Sequence, residues 1–515
     1  MISVAHCKSF AISAIICAVL VACGGGGGGG GSAAVVTPPV VVTPPVVVPT
    51  PAIQPASQFQ GTLTNTAPGA GTVASDWSPA TCTDQRQKNW VRSWLNEQYL
   101  FYLDAPLLSI NPDTYTGSVE NLFLDYTVRG VPAKDKFSFV ITQAAADATF
   151  QSGTTTSVGF TLRRDASNGD VVRIAYVHPN GPAAAAGFVR GMTLASVDGV
   201  DTLHNLPTVL SNKLFASPPG TSSVVGVQEI IGGPIRNISV ATALFSVSPV
   251  IVDRMLPGTS IAYLAYTSFS TPIGEVQLAD AFKRFAAAGA TDLVIDLRYN
   301  GGGFLDISAQ LGYLVAGETR SSGKTFETLA YNNKRSAENV VVPFRSAITP
   351  FFGNNARAGE PLVSLNLQRV FVITTGSTCS ASESVIGGLQ GVDVQVILIG
   401  GTTCGKPYGF TQDNNCTLAF FGIEFEGRNQ KGAVTPVTGI TPTCGVSDDF
   451  DRQLGDPAER MLSTALTWQR TGACPAFASG FTPLMQARAS SSAVNSDMEF
   501  MNDSLETLKL IRPAK

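Results

Sequence analysis

The sequence is poor in histidine and in charged residues. Its 515 residues include three histidines, and charged residues make up 14% of the chain, with a net charge of −4. No cluster of lysines and arginines resembles a phosphate-binding surface, so the composition gives no reason to expect a nucleic-acid partner. Apolar and aromatic residues, at 44% and 8%, are as frequent as in globular chains.

The scarcity of histidine excludes common catalytic sites. His6 lies in an N-terminal apolar segment, while His178 and His204 precede the segment whose motifs carry the candidate chemistry. A serine-histidine-aspartate triad is therefore not expected. HExxH and CxxC motifs are also absent, so we expect neither a metal site nor another cofactor.

The N-terminus has the pattern of an export signal. Lys8 precedes an apolar run, residues 10–20, that is too short to cross a bilayer and is typical of a signal peptide over residues 1–22. The ending Leu-Val-Ala-Cys23 resembles a bacterial lipobox, which implies lipidation of the Cys23 thiol. Residues 23–75, rich in glycine and then in proline, are predicted to be a tether. We expect a lipid-anchored protein of the bacterial cell envelope, facing the periplasm or the cell surface.

Six cysteines remain beyond residue 23. An even number in an exported chain favours disulfides, but six cysteines allow 15 connectivities, so the sequence leaves their pairing open. They are Cys82, Cys379, Cys404, Cys416, Cys444 and Cys474.

Hydrophobic periodicity predicts an α/β protein of several domains. Residues 76–150 are predicted to be a small helical domain, because Trp90, Trp94 and Tyr99 recur at helical spacing after Thr83, a candidate N-cap. Residues 151–248 read as short β-strands. Strands and helices alternate over residues 249–475, which predicts a largely parallel sheet. The tail, residues 476–515, is expected to be mobile or peripheral.

The β-rich block resembles a PDZ domain. Residues 181–191, with Asp198 and Gly199, match the usual pattern of a short helix, a turn and a strand. The resemblance implies that a polypeptide end is held as an added strand beside residues 159–162. Those residues are Gly159, Phe160, Thr161 and Leu162. An unrelated small β domain is the alternative.

Three polar loops follow predicted strands of the α/β segment, at residues 300–303, 378–383 and 402–407. The carboxyl ends of strands are where sites in open α/β sheets gather. The second loop, TCSASE, offers four nucleophile candidates: Thr378, Cys379, Ser380 and Ser382. Without a histidine, the remaining candidate base is a lysine such as Lys406, whose pKa of about 10.4 burial can lower by about 3–5 units. The local sequence alone favours the alternative, a surface lysine in a turn. The third loop also begins like a nucleotide-binding P-loop, but Pro407 replaces the residue that would hold magnesium.

The three loops together resemble the motifs of the carboxy-terminal processing peptidases, or tail-specific proteases. These serine proteases carry a PDZ domain and a Ser-Lys dyad. The matching segments are DLRYNGGG (296–303), TCSASE (378–383) and GTTCGKP (401–407), within a resemblance that covers about residues 150–475. It implies a protease core of crotonase-like ββα units, with Ser380 as nucleophile and Lys406 as base. It also implies an oxyanion hole at the backbone N–H groups of Gly302 and Ala381.

The sequence departs from the family pattern beside the lysine. Phe410 stands where many members have a glutamine that orients the lysine, and Gln412 is the nearest substitute. Because the dyad requires the two loops to meet, we hypothesise a Cys379–Cys404 disulfide. Cys416 and Cys444 are further disulfide candidates.

Three functions are compatible with these features. The leading hypothesis is an exported serine endopeptidase that cleaves polypeptides near their C-termini, with the PDZ-like domain recruiting chains that have free C-termini. The second is a non-catalytic lipoprotein that binds peptides or other ligands on the same scaffold. The third is a different Ser-Lys hydrolase, such as an amidase or esterase, which would not need a domain that holds a chain end.

Overall fold

A computed structural model describes residues 52–60, 82–147, 150, 153–349 and 356–476, together with the backbone of Lys509–Leu510. The expected signal peptide, Cys23 and most of the expected tether lie outside these residues. Within the described parts of the chain, no helix is both long and apolar enough to span a membrane.

The N-terminal block is mainly helical, as its periodicity predicts. The side chain of Thr83 accepts a hydrogen bond from Arg86 N at 3.3 Å and caps the first helix, which confirms the predicted N-cap. Trp90 and Trp94 stack on one face of that helix, with ring centroids 5.2 Å apart. The elements are α1 (Asp84–Gln98), α2 (Val119–Tyr126), β1 (Phe139–Thr142) and α3 (Gln143–Asp147).

The middle block, residues 153–248, has an antiparallel sheet around a core of its own. The order of the strands in this sheet is β3-β4-β5-β7-β8, so β3 lies at an edge. The short strand β6 pairs with β5, and β2 and β9 form a separate two-stranded sheet. Gly187, at φ 83°, ends α4 as predicted. The strands are β2 (Thr154–Ser157), β3 (Phe160–Asp165), β4 (Val171–Val177), β5 (Thr193–Val197), β6 (Val200–Asp201), β7 (Ser222–Gln228), β8 (Arg236–Ala241) and β9 (Ala243–Ser246), and the helices are α4 (Pro182–Ala186) and α5 (Thr208–Phe215).

The α/β block is built on a six-stranded sheet of order β10-β11-β12-β16-β17-β22. Every pair is parallel except β10 with β11, which confirms the predicted parallel sheet. Its strands are β10 (Val250–Met255), β11 (Ile261–Tyr266), β12 (Asp292–Asp296), β16 (Arg369–Thr374), β17 (Gln395–Gly400) and β22 (Cys444–Gly445), and its helices are α6 (Ile273–Ala287), α7 (Leu305–Ser321), α8 (Ala381–Gly391) and α9 (Arg460–Thr471).

Smaller sheets flank the main sheet. One contains β15, β14, β21 and β18, and another joins β1 of the N-terminal block to β20 and β19. The N-terminal block therefore shares one hydrophobic core with the α/β block. These strands are β13 (Gly303–Phe304), β14 (Thr325–Tyr331), β15 (Val340–Pro343), β18 (Tyr408–Gly409), β19 (Asp413–Asn415), β20 (Leu418–Phe421) and β21 (Phe425–Arg428).

The tail contributes one short strand, β23 (Lys509–Leu510), which pairs in parallel with β13. The rest of the expected tail beyond residue 476 lies outside the described residues, so the expectation that it is mobile or peripheral stays a prediction.

Candidate active site

The three loops with candidate chemistry meet at one edge of the main sheet. Residues 300–303 follow β12, residues 378–380 follow β16, and residues 401–406 follow β17. These three strands are adjacent and parallel, so their carboxyl ends bring the loops together. Hydrogen bonds join the loops directly, because Cys379 N donates to Asn300 O at 3.1 Å and Cys404 N donates to Thr378 O at 3.0 Å.

Ser380 has an unusual backbone conformation at the start of α8. Its φ of 59° and ψ of −115° lie in a region that a residue with a side chain rarely adopts. A strained turn of this kind between a strand and a helix is the arrangement that exposes the nucleophile of many hydrolases to substrate. Ser380 is buried, and among the described residues its Oγ has no hydrogen-bond partner.

The other nucleophile candidates are already engaged. Thr378 Oγ1 donates to Leu297 O at 2.8 Å, and Ser382 Oγ donates to Asn300 O at 2.9 Å. Cys379 is bonded to Cys404. Of the four, Ser380 alone keeps its side-chain oxygen without a partner in the described structure.

Glu383 joins the nucleophile loop to the lysine loop. Its Oε2 accepts from Ser380 N and Lys406 N, both at 2.9 Å, and its Oε1 accepts from Gly405 N at 2.9 Å and Thr403 Oγ1 at 2.5 Å. Burial raises the pKa of Glu383, while these hydrogen bonds act to lower it. The sequence signal for the contact with Ser380 is the Ser-x-x-Glu capping box, in which the glutamate accepts from the cap residue's N–H.

The cysteines pair as Cys82–Cys416, Cys379–Cys404 and Cys444–Cys474. The hypothesised Cys379–Cys404 disulfide is confirmed, with its Cα atoms 5.2 Å apart. The same two sulfurs and the Glu383 carboxylate are close enough to hold a metal ion. Because both sulfurs are in the disulfide, they offer no thiolate ligand in this oxidised state.

Lys406 is 1% exposed and lies among aromatic rings. Its Nζ is 4.3 Å from the ring centroid of Phe410 and 5.1 Å from that of Phe137. Phe410 thus contacts the lysine directly. Gln412, the substitute predicted to orient the lysine, donates instead to Asn414 Oδ1 at 2.9 Å.

The glycine loop is held by Asn300. The side chain of Asn300 donates to Tyr266 O at 3.0 Å and accepts from Gly302 N at 2.9 Å. The Gly302 N–H must therefore leave Asn300 before it can donate to an oxyanion. Ala381 is the first residue of α8, so its N–H has no acceptor within the helix.

A buried charge network links the middle block to the motif that contains this loop. Arg190 Nη1 donates to the hydroxyl of Tyr299 at 2.6 Å, and its Nη2 contacts Asp448 at 2.7 Å. Arg298 binds the same Asp448 at 2.6 Å and Glu459 at 2.9 Å. Burial alone would raise the pKa of Asp448, but Arg190 and Arg298 hold it below its usual range. No sequence motif indicated this contact, because its members are far apart in the chain.

The predicted peptide-binding residues lie along the edge strand of the middle block. Gly159 has a φ of 88°, and residues 160–162 begin β3. Helix α5 lies beside this strand, since Val158 N donates to Leu214 O at 2.9 Å and the rings of Phe160 and Phe215 are 5.8 Å apart. An edge strand next to a helix is a geometry that can accept an added strand.

Comparisons with known proteins show similarity to one peptidase family. The model of Peptidase family S41 matches residues 260–414, which include both Ser380 and Lys406. A carboxyl-terminal-processing protease of Picosynechococcus sp. is 24% identical over 239 residues, 46% of this chain and 51% of the relative. Carboxyl-terminal-processing peptidase 1, a chloroplastic protein of Arabidopsis thaliana, is 26% identical over 256 residues, 49% of this chain and 47% of the relative.

The fold has a counterpart among solved structures. The crystal structure of a Bacteroides fragilis protein described as an S41 protease is 24% identical and covers 74% of this chain and 97% of that chain, with a TM-score of 0.58. At this identity the likeness shows the fold alone. The chain spans about half the length of the curated relatives it matches. Over residues 260–414 the chain is therefore similar to peptidase family S41, and the curated relatives that it resembles are carboxyl-terminal-processing proteases.

Proposed function

We propose that this protein is a serine endopeptidase that cleaves polypeptides with a Ser380–Lys406 dyad. The observation that carries the proposal is the buried Oγ of Ser380, which has no partner among the described residues although the other three nucleophile candidates are engaged. A buried hydroxyl without a partner costs free energy, and such a group is retained where it has a reaction to perform.

The chemistry follows from the roles of the two residues. Ser380 Oγ attacks the carbonyl carbon of the scissile peptide bond and gives its proton to Lys406 Nζ. The lysine must be neutral to accept it, and burial favours the neutral form of an amine. The lysine then protonates the leaving amine. A water molecule, activated by the same lysine, hydrolyses the acyl-enzyme and releases Ser380.

The oxyanion of the tetrahedral intermediate is held by backbone N–H groups. Ala381 supplies one from the N-terminus of α8, where the helix dipole also favours negative charge. Gly302 supplies the second N–H group. That N–H now donates to Asn300 Oδ1 and would have to break this hydrogen bond to donate to the substrate oxygen. The loss of one such donor typically lowers kcat about 10²–10³-fold.

Recruitment of substrates with free C-termini is assigned to the middle block, acting as a PDZ-like domain. The exposed edge of β3 beside α5 supports this role. Arg190 provides a physical connection from that block to Tyr299 in the catalytic motif.

The proposal also includes export of the enzyme and lipidation at Cys23, which would anchor it in the cell envelope. Labelling with a fatty acid that is lost in Cys23→Ser would support the anchor, and labelling that persists would contradict it.

The experiment compares the wild type, Ser380→Ala and Lys406→Ala on unstructured polypeptides with free or amidated C-termini. Ser322→Ala and Lys324→Ala are matched controls, because both side chains are exposed. We expect cleavage by the wild type and controls, at least 10³-fold slower cleavage by the two dyad variants, and a preference for free C-termini. Cleavage that persists in both dyad variants would refute the dyad, and no preference would refute C-terminal recruitment.

A further inference from the structure

The strand that follows the glycine loop is occupied by another part of the same chain. β13 bonds on one side to the segment after β11, since Phe269 N donates to Gly302 O at 2.8 Å and Phe304 N donates to Phe269 O at 3.0 Å. On its other side it pairs in parallel with β23, with Gly303 opposite Lys509 and Phe304 opposite Leu510.

The same tail segment lies beside the lysine loop. β23 is close to β18, the strand that begins two residues after Lys406. The tail backbone therefore lies near both β13, which continues the loop with the proposed oxyanion donor, and β18, which continues the loop with the proposed base. This is the region that an extended polypeptide must enter to be cleaved.

A strand edge holds an added peptide mainly through backbone hydrogen bonds, which do not depend on side-chain identity. An edge that accepts residues 509–510 can therefore accept other extended chains. Gly303 favours this, because it has no side chain and a φ of 136°, and a Cβ at this position would lie 2.2 Å from Phe269 C. Glycine at this position thus permits the close pairing of β13 with Phe269, which positions the opposite edge of β13.

We propose that the edge of β13 is the docking strand for substrate backbone and that the segment at Lys509–Leu510 occupies it in cis, in competition with substrates. The inference rests on the proposed function, because it identifies where the substrate of that site is held. A substrate bound there runs parallel to β13, as the tail does.

A tethered segment competes effectively even when its own affinity is weak. A segment of the same chain acts at an effective concentration that can reach the millimolar range. Typical KM values lie between about 1 μM and 1 mM. A cis segment whose dissociation constant lies between its effective concentration and about a tenth of that concentration would raise the apparent KM about 2–10-fold and leave kcat unchanged.

The test uses Leu510→Pro in the full chain, because proline lacks the N–H that strand pairing requires. Leu510→Val is the control, since valine keeps the N–H and favours strands. We expect Leu510→Pro to lower KM for an unstructured polypeptide about 2–10-fold with the same kcat, and Leu510→Val to match the wild type. A synthetic peptide of residues 503–515 should inhibit Leu510→Pro competitively, and the same peptide with proline at position 510 should not.

A binding assay separates this inference from catalysis. In the Ser380→Ala background, a fluorescent peptide with a free C-terminus should bind several-fold more tightly when Leu510→Pro is added. This shift is expected even if no variant cleaves, in which case the proposed function fails and the docking inference stands. Equal dissociation constants with and without Leu510→Pro would overturn the inference, and cleavage by the wild type would leave the proposed function intact.

Discussion

Ser380 and Lys406 donate their backbone N–H groups to the same oxygen atom, Oε2 of Glu383, each at 2.9 Å. The two proposed catalytic residues are therefore positioned by one buried carboxylate. Glu383 lies on the first turn of α8, and α8 is packed into the core, so the position of the lysine loop is set by a rigid element.

Glu383→Gln should separate the two loops. The glutamine amide keeps one acceptor oxygen, but its NH₂ group replaces the other oxygen. The backbone N–H groups that now donate to that oxygen would face a donor and lose their acceptor. Leaving a buried donor without its acceptor costs about 1–3 kcal/mol, so we expect lower thermal stability and at least a tenfold loss of kcat. Glu338→Gln, at an exposed glutamate, is the control. Wild-type kcat in Glu383→Gln would show that the shared carboxylate does not position the dyad.

Removal of the Cys379–Cys404 disulfide should affect activity more than an equally long crosslink elsewhere. Its cysteines are 25 residues apart, and those of Cys444–Cys474 are 30 apart, so removing either should cost a similar ~3 kcal/mol of stability. Only Cys379–Cys404 directly joins the loops with Ser380 and Lys406. Double serine variants of each pair, compared by thermal unfolding and kcat, should lose similar stability but unequal activity. Equal losses of activity would assign the Cys379–Cys404 bond a purely structural role.

Arg190→Met should destabilise the protein strongly. Arg190 is buried and donates to Asp448, to the Tyr299 hydroxyl and to Ala175 O. Asp448 keeps Arg298 and Tyr299 as partners in the variant, so the cost comes from the buried acceptors that lose Arg190 and is about 1–3 kcal/mol. Arg452→Met breaks an exposed pair with Asp456 and should cost less than about 1 kcal/mol. Urea unfolding of both variants measures the difference, and similar values would contradict the argument.

The Asp413–Glu424 pair should make stability fall as the pH rises through neutrality. Burial, followed by repulsion from Glu424, raises the pKa of Asp413 to about 7, while Arg335 acts in the opposite direction. Because the folded state holds this proton more tightly than the unfolded state, the stabilisation is complete below about pH 4 and is lost as the pH rises through about 7.

Asp413→Asn removes that titration. The variant should gain stability relative to the wild type between pH 5 and pH 8.5 by about 2–3 kcal/mol, because pH 5 lies about two units below the pKa of Asp413 and each unit is worth about 1.4 kcal/mol. Asp393→Asn is the control, since Lys431 lowers the pKa of the exposed Asp393 and keeps it ionised over this range. Thermal unfolding at the two pH values tests this. A difference between Asp413→Asn and the wild type that does not change with pH would refute it.

Two glycines of the middle block allow a matched test of peptide recruitment. Both Gly159 and Gly169 have positive φ, but a Cβ at Gly159 would lie 2.8 Å from Gly181 Cα, whereas a Cβ at Gly169 meets nothing within 4 Å. Gly159→Ala should therefore distort the loop before β3 and raise KM severalfold for substrates with free C-termini. Gly169→Ala carries the same backbone cost and should leave KM unchanged. An equal KM in the two variants would argue against recruitment at β3.

Much of this protein is determined by local sequence. Periodicity predicted α1 and the alternation of strands and helices over residues 249–475, because apolar residues must recur at the period of the element they bury. The motifs at residues 300–303, 378–383 and 402–407 located the loops of the site, since polar residues that follow buried strands must gather at one sheet edge. Because no histidine lies in the α/β segment, Lys406 became the candidate base.

The contacts between distant residues were decided by the tertiary structure. The pairing of six cysteines depends on which Cα atoms the fold brings within bonding distance. The sequence alone therefore could not predict the Cys82–Cys416 disulfide. The same holds for Glu383, which accepts from Gly405 and Lys406 across the site, and for Arg190, which reaches Tyr299 from another block. The hydrophobic pattern of a segment predicts which of its residues are buried. The direction in which a polar side chain points, and the partner that it binds, depend on how distant segments pack together.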